Sequence, residues 1–152
     1  MATWAEFAAE APTIADAGRR LIYRTEIGRA LLATVRGDAL PRIHPISVAV
    51  AAGRLVAFII LDSPKARDLA EDGRYALHAH QDPDVPHEFT VRGRAQSIDD
   101  LETRAAFADA WSFEVDDTYR LFEFQIDHAV LGERATSHDW PPLYTSWRDT
   151  AG

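Results

Sequence analysis

The chain has 152 residues and no cysteine, which excludes disulfides, thiolate metal centres and cysteine nucleophiles. Its net charge of −8, with no basic run, argues against nucleic acids and anionic membranes, whose recognition takes many Lys/Arg contacts. A 47% apolar share, no apolar run of membrane-spanning length and an acidic N-terminal stretch without signal-peptide character predict one cytoplasmic domain over 1–152.

Residues 3–22 carry Trp4, Phe7, Ala8, Ala11 and Ile14 at helical spacing, followed by Leu21 and Ile22, with an interruption near Pro12. Residues 29–36 and 42–50 read as strands separated by the turn GDALP. Both faces of the second turn apolar towards Val50, and Pro45 makes its near end an edge or a bulge. A short AAGR turn leads into 54–61, apolar almost throughout. A short helix then starts near Ser63, and strands follow over 74–81 and 87–98. Residues 99–111 predict a helix capped by Asp99 or Asp100. Alternation over 119–134 gives one long strand or two short ones. The tail reads as irregular, and its Trp140, Tyr144 and Trp147 call for burial, against a second subunit if not within the chain. About six strands with two or three helices, joined mostly by short turns, predict a mainly β, α+β barrel with antiparallel pairing.

Lys65 is the only lysine; the other 15 of the 16 Lys+Arg residues are arginine. Ser63 has the chemistry of an N-cap, Pro64 suits the first helical position, and Gly73 can stop the helix. Arg67 and Glu71 have the spacing of an i, i+4 pair. Lys65 therefore lies in the first turn, where the helix dipole favours an anion over a cation. A bound phosphate would resolve that conflict, because free N–H groups, the Ser63 hydroxyl, the ammonium and Arg67 could converge on it. A solvated lysine on a capped surface helix is the plain alternative.

The segments RIHPIS (Arg42–Ser47), FIILDSPKARDL (Phe58–Leu69) and HEFTVRG (His87–Gly93) resemble those of FMN-binding split β-barrel proteins related to pyridoxamine 5′-phosphate oxidase. The resemblance covers about 29–147. It implies a homodimer with cofactor sites at the interface, and oxidoreductase chemistry on an unidentified small molecule. It also implies that Lys65, Ser63 and Arg67 hold the flavin phosphate, with Arg42 and His44 lining the same pocket. The backbone of Phe58, Ile59 and Ile60 would lie along the ring, Glu88 near it, and Trp147 would reach the partner's site. Glu88 stands where a glutamine is common in the family, and the carboxylate calls for a partner such as His87 or Arg94. Ser47 replaces a basic residue. No Arg-x-His-Asp-Arg segment for pyridoxal phosphate is present. A deazaflavin coenzyme, or haem in a non-catalytic carrier, are the alternative cofactors within the fold.

His78, His80, His87 and Glu88 invite a metal reading. Against a cupin-type pattern, Gly73 is one residue too close to His78 and Glu88 comes too late after His80, so no metal site is expected. The sequence contains no G-x-S-x-G elbow, Walker A loop or G-x-G-x-x-G fingerprint. No side chain is singled out as a catalytic acid or base.

Overall fold

The computed structural model describes residues 1–151, which form four helices and eight strands. Helices α1 (Trp4–Glu10) and α2 (Pro12–Ile22) meet at Pro12, where the helical pattern is interrupted. They are followed by β1 (Arg29–Val35), β2 (Pro41–Ser47), β3 (Ala49–Ala51), β4 (Arg54–Ile60), α3 (Pro64–Glu71), β5 (Arg74–Ala79), β6 (Glu88–Ser97), α4 (Leu101–Asp109), β7 (Tyr119–Glu133) and β8 (Leu143–Arg148). All pairings are antiparallel, in the order β2-β1-β5-β6-β7-β4-β3, with β8 also on β7. The sheet curls into a split barrel.

Two differences raise the strand count above about six. The stretch 42–50 is not one strand. Its first part pairs with β1 and its last part with β4, and Val48 is the hand-off, its N–H donating to Gly28 O at 3.0 Å. The tail is not irregular throughout, since β8 adds an edge along the second half of β7. Its alternation is hidden because it is exposed except at Trp147, which is partly buried.

Helix α3 ends where expected: its C-cap is Asp72, and Gly73 follows at φ 78°. Strand β7 is continuous but carries one extra residue opposite Arg92/Gly93. A Cβ on Gly93 would lie 2.1 Å from Gln125 O, so this bulge requires glycine there.

The main core gathers Leu32, Leu77, Phe89, Phe124 and Ile126 from the sheet beneath Trp4 and Phe7 of α1. Trp4 and Phe7 meet edge to face at 5.3 Å. A second cluster sets Val56, Phe58 and Leu121 against Phe107 of α4. Each such side chain contributes about 1.5–3 kcal/mol on burial. Among the described residues, no helix is long and apolar enough to cross a membrane.

Candidate functional site

The split in the barrel follows from the hand-off at Val48. Strand β2 pairs only with β1, and β3 covers β4 only from Arg54 to Val56. From Ala57 to Ile60, β4 is paired with β7 on one side and, among the described residues, with no strand on the other. The free edges of β2 and β4 therefore flank a slot. Ile59 is buried within β4, whereas Ile60 and Leu61 are exposed where the chain leaves it. Backbone groups on such an edge are available to a planar, hydrogen-bonding ligand.

The chain runs from β4 directly into the first turn of α3. Ser63 accepts from Ala66 N at 3.3 Å and donates to Ile60 O at 2.7 Å, so its hydroxyl proton is committed to the turn. Arg67 donates to Asp62 O at 2.7 Å instead of pairing with Glu71. Lys65 differs from both. Among the described residues, no carboxylate lies within ion-pairing distance of its ammonium.

Beside Lys65 lies a polar network reaching into the barrel. Asp68 of α3 is 4% exposed. Its Oδ2 accepts from Thr34 Oγ1 at 2.8 Å and from Arg42 Nε at 2.9 Å. Thr34 and Arg42 are directly opposed across β1 and β2, as are Leu32 and His44, so all four face the same way. Thr34 Oγ1 is also 3.4 Å from His44 Nε2. With the Thr34 proton directed at Asp68, its oxygen accepts from His44, which places the imidazole proton on Nε2 and leaves Nδ1 as an acceptor. Burial, and then the neighbouring Lys65 charge, hold His44 below the usual histidine range, while Asp68 pulls it upward. A neutral imidazole, a free ammonium and a guanidinium anchored by one nitrogen thus share one end of the slot.

These residues fit a phosphate-bearing flavin. Lys65 supplies an unpaired charge, and Arg42 uses only Nε on Asp68. The structure brings Arg42, His44 and Lys65 together and sets Ser63, Ile59 and Ile60 at the same end of β4. Arg67 turns back onto its own loop. Asp68 and Thr34 were not singled out in the sequence. Their partners lie 26 and 34 residues apart, so no local pattern marks them.

Glu88 lies on the outer face of the sheet, and its expected partner is corrected. Tyr144 of β8 donates to its Oε2 at 2.6 Å, not His87 or Arg94. That bond, ahead of burial, raises the phenol's pKa. His87 Nδ1 instead accepts from Arg134 N at 3.2 Å. Trp147 packs on Phe7 with ring centroids 5.1 Å apart and donates to Glu10 at 2.8 Å, so within the chain it clamps β8 to α1. Trp140 stays 74% exposed. His78 and His80 line a shallow outer-face depression with Leu31, Ala33, Ile43 and Ala76. Among the described residues, no group of three or more His, Asp or Glu side chains is arranged to hold a metal.

Comparison with solved structures places this fold among known ones. The haem-binding protein of Mycobacterium smegmatis aligns with a TM-score of 0.65 at 17% identity, over 87% of this chain and 57% of that one. General stress protein 26 of Bacillus anthracis strain Sterne aligns at 0.61 and 17%, over 85% and 95% respectively. A NimC/NimA family protein of Clostridium acetobutylicum aligns at 0.60 and 16%, over 78% and 84%. At these identities the likeness speaks for the fold alone, and the chain spans little more than half of the haem-binding protein. No curated protein matches by sequence. The family described as pyridoxamine 5′-phosphate oxidase matches residues 4–130, from α1 well into β7. With most of its length matched, and a split barrel built around the RIHPIS and FIILDSPKARDL segments, the chain belongs to the pyridoxamine 5′-phosphate oxidase family.

Proposed function

We propose that the slot between β2 and β4 binds FMN and that the protein is a cytoplasmic, homodimeric oxidoreductase acting on a small molecule. The observation that carries this reading is the unpaired Lys65 ammonium in the first turn of α3, beside His44 and Arg42. When bound, the flavin supplies hydride or electron transfer. The chain's own residues bind and orient it. Lys65 and the Arg42 guanidinium take the phosphate, with His44 alongside. Ser63 shapes the turn, and the open edge of β4 at Ile59 and Ile60 offers backbone groups to the ring. Asp68 fixes the direction of Arg42 and, through Thr34, the tautomer of His44. A deazaflavin coenzyme would use the same slot.

The second reading is a non-catalytic haem carrier. It draws on the outer-face depression, where His78 directs Nδ1 at Ala79 O, 2.6 Å away, so that Nε2 would be the atom to hold the iron of a haem. The likeness to a haem-binding protein points the same way. Absorbance and fluorescence spectra before and after adding FMN separate the readings. Flavin fluorescence quenched at about one equivalent per chain, with turnover on a reduced nicotinamide, supports the enzyme. A Soret band with haem and no response to FMN supports the carrier.

A further inference from the structure

Two arginines and the histidine between them stand in register on the outer face of the sheet. Arg92 of β6 is opposite His128 of β7, and His128 is opposite Arg148 of β8. Opposed residues of an antiparallel ladder share a face with Cβ atoms about 5 Å apart, and like charges placed so repel. Close ion pairs occur elsewhere in the fold, as where Arg74 meets Asp72 at 2.6 Å and Arg42 meets Asp68 at 2.9 Å. Here the nearest carboxylate is that of Asp127, the extra residue of the β7 bulge, and it reaches Arg92 at only 3.9 Å with both side chains half exposed. Asp149, next to Arg148, is held by the Met1 amino group at 3.0 Å and by Ala151 N at 3.0 Å. The charges that bear on His128 are therefore Arg148, Arg92 and Asp127, and burial with the two guanidiniums holds its imidazole below the usual range. In a chain of net charge −8, this row is a concentration of positive charge that intramolecular pairing leaves largely unanswered.

We propose that Arg92, His128 and Arg148 form an oxyanion site that takes a phosphate monoester group, separate from the slot at α3. Two guanidiniums present parallel N–H pairs that suit a phosphate's tetrahedral oxygens, and the imidazole between them adds a donor. A dianion there would relieve the repulsion along the row. The site is distinct by geometry. Strand β7 borders β4 only through Tyr119–Glu123, and His128 lies beyond that stretch, past the bulge. Arg42 and His44 also face the opposite side of the sheet. The proposal does not depend on flavin binding.

The test is a titration of the full chain with inorganic phosphate at constant ionic strength, balanced with sodium chloride. It follows histidine ring resonances by NMR, with His128→Gln identifying the signal. The expected result is a saturable shift of His128 together with a rise in its pKa. Arg148→Gln and Arg92→Gln should each weaken phosphate at least tenfold, while Lys65→Ala leaves the affinity unchanged. A linear drift that chloride reproduces would mean charge screening and overturn the site. A response that vanishes in Lys65→Ala but survives both arginine variants would overturn it too, placing the only phosphate site at α3.

Discussion

Helices α3 and α4 are both short, both follow a strand, and both begin with a capped turn, yet their N-termini are finished in opposite ways. Asp100 caps α4, accepting from Thr103 N at 2.8 Å, and Glu102 adds a second carboxylate in the first turn. The partial positive charge of that terminus is met from within the chain. At α3 the cap is the neutral Ser63, the first turn contains no acid, and Lys65 adds positive charge. Asp68, in the second turn, is buried and turned inward to Arg42 and Thr34. One terminus is closed electrostatically and the other is left open. On the proposed reading, the two helices differ in role, one an ordinary piece of packing and the other half of an anion site, according to where their acids point.

The comparison can be broken most severely at Asp68. Asp68 is buried and holds both the buried Thr34 and the partly exposed Arg42, so Asp68→Ala should cost about 2 kcal/mol of folding stability. Denaturant unfolding reads this, and a loss near zero would mean that the pair is solvated. Lys65→Ala should leave stability almost unchanged but weaken FMN about tenfold or more, roughly 1.5 kcal/mol, on the scale of a charge-assisted hydrogen bond. Isothermal titration measures it, and wild-type affinity in the variant would remove the phosphate from α3. The two caps sharpen the contrast further. Ser63→Ala should cost about 1 kcal/mol of stability and also loosen FMN by disordering the turn. Asp100→Ala should lower stability as well and leave FMN affinity untouched; equal effects on binding would show that α3 is not special.

The smallest expected effect is on pH dependence. His44 and His128 both have folded-state pKa values below their ordinary value, each chiefly through burial. Just below pH about 6.5 the unfolded chain then holds more protons than the folded one, so stability rises with pH through this window. Protonation costs the folded state as pH falls, until both imidazoles are charged. The melting temperature should be higher at pH 7.5 than at pH 5.5, and the gap should narrow in His44→Gln. Carboxylates contribute lower down: Asp72, held at about 2 mainly by its hydrogen bond from Arg74, has its effect between pH about 4 and about 2.

Much of this fold is legible in the sequence because burial writes itself as period. The strands β1, β4, β5, β6 and β7 carry apolar alternation or a continuous apolar run. Helix α3 carries its own punctuation in Ser63, Pro64 and Gly73. The hand-off at Val48 is invisible because 42–50 stays extended on both sides of it, and only the partner changes. Strand β8 is hidden because its side chains are mostly exposed and no hydrophobic face forces a pattern. In the site, Lys65 stands out by its rarity and its place in a helix start. Arg42 and His44 stand out through their segment. Asp68 does not, since one acid in a helix is commonplace and its importance comes from strands far away in sequence. The sequence marks Glu88 as needing a partner, but Tyr144 sits in β8, which no periodicity reveals.

The slot has a further consequence for how the protein behaves in a crowded solution. Two neighbouring strand edges left unpaired are a template on which another chain could add a strand. On β2 this edge carries Pro41 and Pro45, neither of which has an N–H to offer. Proline is tolerated there because no ladder demands its hydrogen, and it leaves the edge short of the regular donors that strand addition needs. The two prolines that weaken the strand thus make its open edge a poor template for another chain.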